Sequence, residues 1–144
     1  ESRGHVRITS RDPQAKPVIQ PNYLAAAKDR DVMVAGMKLV RKVAEQPALK
    51  GYIANEIAPG KDVQDDAALL DYVRAKGSTI FHPSSTCRMG ADETAVVDPR
   101  LKVKGVEGLR IADASIMPTL VSGNTNAACI MIGEKASDLV MAAD

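Results

Sequence analysis

Two short stretches carry residue types that could do chemistry. Ile80–Gly90, IFHPSSTCRMG, holds one of the chain's two histidines and one of its two cysteines. His82 precedes Pro83, whose ring fixes the backbone and biases His82 toward an extended conformation. Histidine is also the side chain most readily tuned to exchange protons near neutral pH. Ser122–Ala127, SGNTNA, offers Gly123 for an unusual backbone conformation and Asn124 and Asn126 as caps for a following helix. A helix start presents free N–H groups and a positive dipole end, which suits an electron-rich oxygen or nitrogen of a ligand. The plainer alternatives are a histidine without a role, as read for His5, and an ordinary capped helix; spacing alone does not choose.

Three arrangements could use these pieces. A thiol hydrolase would take Cys87 as nucleophile, His82 as base and Asn124 as orienter. A metal site would need more ligands than two His and two Cys at H-x4-C spacing provide, so none is expected. The third is proton abstraction by His82 from a hydroxyl group, with Asn124 holding the same oxygen. That option needs an acceptor for what leaves with the proton, a cofactor this chain alone cannot hold: no G-x-G-x-x-G or P-loop occurs in it.

The elements that must position these residues follow from pattern. A strand is expected over residues 4–8 and an extended piece over 17–21, whose prolines keep it out of a central strand. The clearest helix lies within Ala25–Glu45, with Val32, Leu39, Val40 and Val43 on its apolar face, the basic residues mostly opposite, and Pro47 as its stop. Residues 54–64 read as loop. A second helix begins at Asp65-Asp66, buries Leu69, Leu70 and Val73, and ends at Gly77. Residues 78–81 read as a short strand, 96–98 and 101–106 as strand-like, and Leu109–Asp113 as a buried strand ending in a carboxylate. A final helix spans Ala127–Met141, its run Ile130-Met131-Ile132 implying cover on all sides.

Composition excludes several functions. At 144 residues the chain has the size of one domain, and 45% apolar with 26% charged residues is ordinary for a globular protein. Nineteen basic against eighteen acidic residues, a net charge of +1, give no footprint for nucleic acid. No run is long enough for a membrane span, and no secretory leader is read at the start. Two cysteines make no disulfide framework, so a reducing, cytoplasmic setting is expected.

With the motifs in hand, FHPSSTCRMG followed by AVVDPRLKVKGVEGLRIADASIMPTLVSGNTNAACIMIGEKASDLV strongly resembles the C-terminal region of glucose–methanol–choline (GMC) flavin oxidoreductases, choline dehydrogenase-like branch. The likeness covers nearly the whole chain. The order of H-P-x-x-T-C-R-M-G, V-V-D-x-x-L-x-V-x-G, L-R-x-x-D-A-S-x-M-P and G-N-x-N is highly specific. The resemblance implies an α+β fold: part of the substrate-binding domain, an antiparallel sheet with helices, plus C-terminal segments from about His82 that return to the FAD-binding domain. It implies His82 and Asn124 as the catalytic pair acting on a small-molecule alcohol. It implies Asp113, Ala114, Thr125 and Asn126 as residues against FAD, with the last helix start facing the flavin ring, and hydride transfer from the alcohol to that ring. Cys87 then packs rather than attacks.

On that reading residues 1–144 are one C-terminal domain whose N-terminal FAD-binding partner is missing. The chain is expected not to retain FAD alone, and to self-associate through apolar surface left by Leu109, Ile111, Ile130 and Ile132. A thiol hydrolase and a non-enzymatic interaction module remain as the other two classes. Choline is a candidate substrate and not a deduced one, since three Tyr and one Phe spell no aromatic cage.

Overall fold

His5–Arg7 (β1) and Val18–Gln20 (β2) pair antiparallel, with Val6 opposite Ile19, in a two-stranded sheet exposed along both strands. The computed structural model describes residues 1–142. It continues with helices Ala27–Ala44 (α1), Pro47–Lys50 (α2), Asp66–Lys76 (α3) and Asn126–Met141 (α4), and a single 3-10 turn at Ala114–Ile116. Helices with a small antiparallel sheet make the chain α+β, as expected. It divides into two compact units, one ending at Ser78 and one beginning at Thr79.

In the first unit α1 packs on α3. Asp65 caps α3, its carboxylate accepting from the Ala68 N–H at 2.9 Å. Leu69 is fully buried and Val73 nearly so, as the apolar stripe predicts. Gly77 closes the helix through a 2.7 Å bond from its N–H to the Val73 carbonyl. A Cβ there would sit 2.4 Å from that carbonyl oxygen, which explains the glycine.

The face of α1 is reversed from expectation. Val32, Leu39, Val40 and Val43 are all exposed, and the inward side carries Val34 with the half-buried Arg30, Met37 and Arg41. The reason is hydrogen bonding. Arg41 forks onto Glu56, with Nη2 to Oε1 at 2.7 Å and Nε to Oε2 at 3.0 Å, and donates to the Val63 and Gly60 carbonyls. Arg30 likewise donates to the Leu24 and Ala25 carbonyls. Charged groups with this many partners tolerate a half-buried face. The Arg41 pairing holds the Glu56 carboxyl below the usual range. Pro47, expected to stop α1, opens the four-residue α2 instead, as proline at a first helical position can.

The second unit is built on Val97, Leu101, Ile116, Met117, Ile132 and Ala136, with Met89, Val103 and Cys129 against them. No strand forms at residues 78–81. Residues 96–98 and 101–106 make only isolated bridges, Met89 to Val97, Val97 to Val103 and Lys102 to Arg110. Leu109–Asp113 is not a buried strand either: Leu109 is exposed, and Asp113 caps the 3-10 turn, its carboxylate accepting from the Ser115 N–H at 2.7 Å. Gly105 and Gly108 hold positive φ, so the chain turns there too often for a continuous ladder. α4 begins one residue before its expected start. It is covered on one side only, with Ile132 buried and Ile130 and Met131 exposed. No helix among the described residues is long and apolar enough to cross a membrane.

Candidate functional site

His82 is positioned by the segment C-terminal to it. The N–H groups of Ser85, Cys87 and Met89 donate in turn to the carbonyls of Ala114, Ser115 and Ile116, at 3.2, 2.9 and 2.8 Å. Every second residue of the STCRM run is thus tied to successive residues of the D-A-S-x-M run. Met89 packs on the core. Arg88 forks onto Asp92, with Nη1 to Oδ2 at 2.9 Å and Nη2 to Oδ1 at 2.5 Å, and also meets Thr94 Oγ1. That pairing, led by the Arg88 bonds, pulls the Asp92 carboxyl far below the ordinary aspartate range. Gly90 lies under the pair: a Cβ would fall 2.8 Å from Asp92 Oδ2, 3.0 Å from Arg88 Nη1 and 3.1 Å from the Ala95 methyl. The conspicuous R-M-G of the motif is therefore scaffold.

Two non-glycine residues at positive φ flank the histidine. Phe81, immediately before it, has φ of 60°, and Ser85, three residues on, has φ of 68°. Neither residue type adopts that region readily, and such costs of about 1–3 kcal/mol each persist where the surroundings enforce them. The chain therefore bends into and out of His82, in place of the strand end that the sequence suggested.

The imidazole is held at both nitrogens. Asn124 Oδ1 lies 3.2 Å from Nε2, and Thr125 Oγ1 lies 3.0 Å from Nδ1. Forty-two residues separate His82 from Asn124 along the chain, so the fold and not local sequence makes the contact. His82 is half-buried, Asn124 exposed and Thr125 buried at 7% exposure. Nδ1 thus faces inward and Nε2 faces the open side.

The start of α4 differs from expectation. Its N-cap is Thr125, not Asn124 or Asn126, in a helical conformation (φ −78°, ψ −11°) and with no side-chain cap. The hydroxyl that would ordinarily accept from the first turn is turned to His82, forgoing a bond worth about 1 kcal/mol. Gly123 is not among the residues at positive φ, and open space surrounds it, so it holds no strained turn. The consequence is an exposed helix end at Asn126 and Ala127 whose first amide N–H groups meet no side-chain cap. Such an end fits an electron-rich ligand atom.

His82, Asn124 and Thr125 are therefore brought together. Asn126 comes next at the helix start, and Asp113 and Ala114 lie on the 3-10 turn to which the His82 segment is tied. The thiol arrangement is not formed. Both ring nitrogens of His82 are engaged by other groups, and among the described residues no hydrogen bond joins Cys87 to His82. Cys87 and Cys129 are free thiols, both half-buried. The contact between Thr125 and His82 is not among the sequence expectations. Its only signal was a hydroxyl next to the asparagine, at a position where helix capping is the ordinary meaning.

Comparison with known proteins places the chain in a family. Residues 1–133 match the model of the C-terminal region described as GMC oxidoreductase, and the chain belongs to that family. It is 50% identical over 139 residues to an oxygen-dependent choline dehydrogenase of Klebsiella pneumoniae, covering 96% of this chain and 25% of that protein. It superposes on a pyridoxine 4-oxidase from Mesorbium loti with a TM-score of 0.90 at 33% identity, over 98% of this chain and 28% of the other. An FAD-dependent oxidoreductase from Chaetomium thermophilum gives 0.88 at 28% identity, over 95% and 24%. The chain spans about a quarter of the length of the curated relatives it matches.

Proposed function

We propose that this chain is the C-terminal catalytic and substrate-binding part of an FAD-dependent oxidoreductase that oxidises a primary, choline-like alcohol. The observation that carries the reading is the His82–Asn124 pair, assembled across 42 residues on the open side of the second unit. His82 Nε2 takes the proton of the substrate hydroxyl, and Asn124 and the protonated ring hold the oxygen as negative charge develops on it. Positioned general-base assistance of this kind is worth about 10²–10⁴ in rate. The uncapped, exposed start of α4 fits the electron-rich end of a flavin, with Thr125 and Asn126 offering backbone donors and the Asp113-Ala114 turn a further contact. FAD, when bound, supplies the acceptor for the hydride. Most of its contacts come from the N-terminal region that family members carry, so this chain alone is not expected to keep it. The alcohol and the missing FAD-binding region are the partners this reading requires.

The test uses a full-length protein containing this segment and monitors flavin bleaching by saturating alcohol in stopped flow. His82→Ala should slow bleaching by about 10²–10⁴ with FAD content unchanged. Asn124→Ala should slow it less, and Cys87→Ser should leave it nearly intact. Bleaching at the parent rate in His82→Ala would remove the proposal.

A further inference from the structure

We infer that Ser85 is a positioning residue for His82: its left-handed backbone turn, and not its hydroxyl, aims the imidazole at Asn124 and at the oxygen of a bound alcohol. The inference rests on the general-base role of His82 and adds a residue that acts only through the histidine.

Three observations carry it. Ser85 has φ of 68°, in the left-handed region that favours glycine. It is also the first rung tied to the core of the second unit. Its N–H donates to the Ala114 carbonyl at 3.2 Å, and Cys87 to Ser115 and Met89 to Ile116 follow at 2.9 and 2.8 Å. Ile116 belongs to the buried core and Met89 packs against it. Finally, the Ser85 hydroxyl is not what holds the ring. Ser85 Oγ lies 3.2 Å from Ser84 Oγ, whereas the two imidazole nitrogens meet Asn124 and Thr125.

The stretch between the first rung and the histidine is short and partly locked. Pro83 fixes its own φ near about −65° and keeps His82 out of the helical region. Residues 82–84 therefore form an arm whose direction is set where it leaves the ladder, at Ser85. Three residues reach at most about 10 Å, so a swing of about 10° at Ser85 moves the far end by up to about 2 Å. His82 meets its partners at 3.2 and 3.0 Å, and a shift of that size breaks both bonds. Phe81 also has positive φ, but it precedes His82 while the ladder follows it.

Two substitutions separate the turn from the hydroxyl. Ser85→Gly enters the left-handed region freely and loses the hydroxyl. Ser85→Thr keeps the hydroxyl, and its branched Cβ resists that region.

The test uses a full-length protein containing this segment and the stopped-flow bleaching of its flavin by saturating alcohol. Ser85→Gly should bleach at the parent rate, with Tm at or above the parent's. Ser85→Thr should bleach about 10²-fold more slowly with FAD content unchanged, the loss that a displacement of about 1 Å brings. In a His82→Ala background Ser85→Thr should add no further slowing, which separates positioning from general damage to the fold. A slow Ser85→Gly overturns the inference. So does a Ser85→Thr that bleaches at the parent rate, or that slows the His82→Ala protein as much as the parent. The ring-proton resonances of the 144-residue chain, which has only His5 and His82, give a second reading without turnover. The His82 signals should keep the parent shifts in Ser85→Gly and move in Ser85→Thr; the opposite pattern overturns the inference. Should Ser85→Thr fail to fold, the rate and the ring signals of Ser85→Gly still decide. A parent rate in His82→Ala would instead remove the base role and leave this placement of the ring standing.

Discussion

Gly90→Ala is the perturbation that most sharply tests how the His82 segment is held. The added methyl would lie 2.8 Å from Asp92 Oδ2, 3.0 Å from Arg88 Nη1 and 3.1 Å from the Ala95 Cβ. All three are closer than an ordinary van der Waals contact, so the Arg88–Asp92 pair must shift to admit the methyl. Arg88 and Asp92 hold one another at two bonds, with Asp92 also accepting from Thr94, and Ala95 is buried. Overpacking of this kind costs about 1–3 kcal/mol. For a unit of this size each kcal/mol lowers Tm by about 4–8 °C, so a fall of about 4–24 °C is expected in the transition of the second unit. Calorimetry of the chain reads it. The same substitution in an Asp92→Ala background meets one fewer fixed partner and frees Arg88 to move, so its cost there should be smaller. An unchanged Tm, or an equal loss in both backgrounds, would refute the account of the motif as scaffold.

The first unit and the exposed surface yield two further expected outcomes. Glu56 has its folded pKa depressed by Arg41, so its contribution is present above the unfolded value of about 4.3 and is lost as pH falls through the folded value. Urea unfolding between neutral and acid pH should show that loss in the parent and a flatter profile in Glu56→Gln; parallel profiles would sink the idea. The chain should also self-associate at high concentration through Leu39, Val40 and Val43 of α1 and Ile130 and Met131 of α4, all exposed. Sedimentation should show this and Leu39→Glu should reduce it; a strict monomer that binds no hydrophobic dye would contradict it.

Periodic, locally encoded features were legible in the sequence, and features decided by distant partners were not. Leu69 and Val73 follow from spacing, and α4 from its apolar run, because burial in a helix leaves a period. The face of α1 was misread because four valines and leucines outweigh two arginines on any hydropathy scale. Glu56, Gly60 and Val63, which reverse that face, lie in what reads as featureless loop. Residues 96–111 look like strands because short apolar runs alternate with turn residues, yet their turns at Gly105 and Gly108 leave single bridges. Of the self-association residues named from sequence, Leu109 and Ile130 are exposed, but Ile132 is core and Ile111 half-buried. The pairing of His82 with Asn124 could be carried by a family motif but not by local chemistry, since the two lie 42 positions apart. The turn of the Thr125 hydroxyl away from its own helix had no sequence signal beyond a hydroxyl next to the asparagine.

The connection from Pro118 to Asn124 is exposed throughout, while the next residue, Thr125, is buried against the histidine. That boundary separates where the chain tolerates insertions from where it does not. Doubling the length of a flexible surface connection costs only about 0.6 kcal/mol in closure entropy, so loops grafted ahead of Asn124 can reshape the approach to His82 at little cost. One residue added inside the first turn of α4 would instead rotate the rest of that helix by about 100° and advance it about 1.5 Å relative to Thr125. The core side chains Ile132 and Ala136 would then face solvent. If the proposed function holds, a library aimed at new alcohols belongs in the 118–123 segment, with position 125 left as the fixed end of the graft.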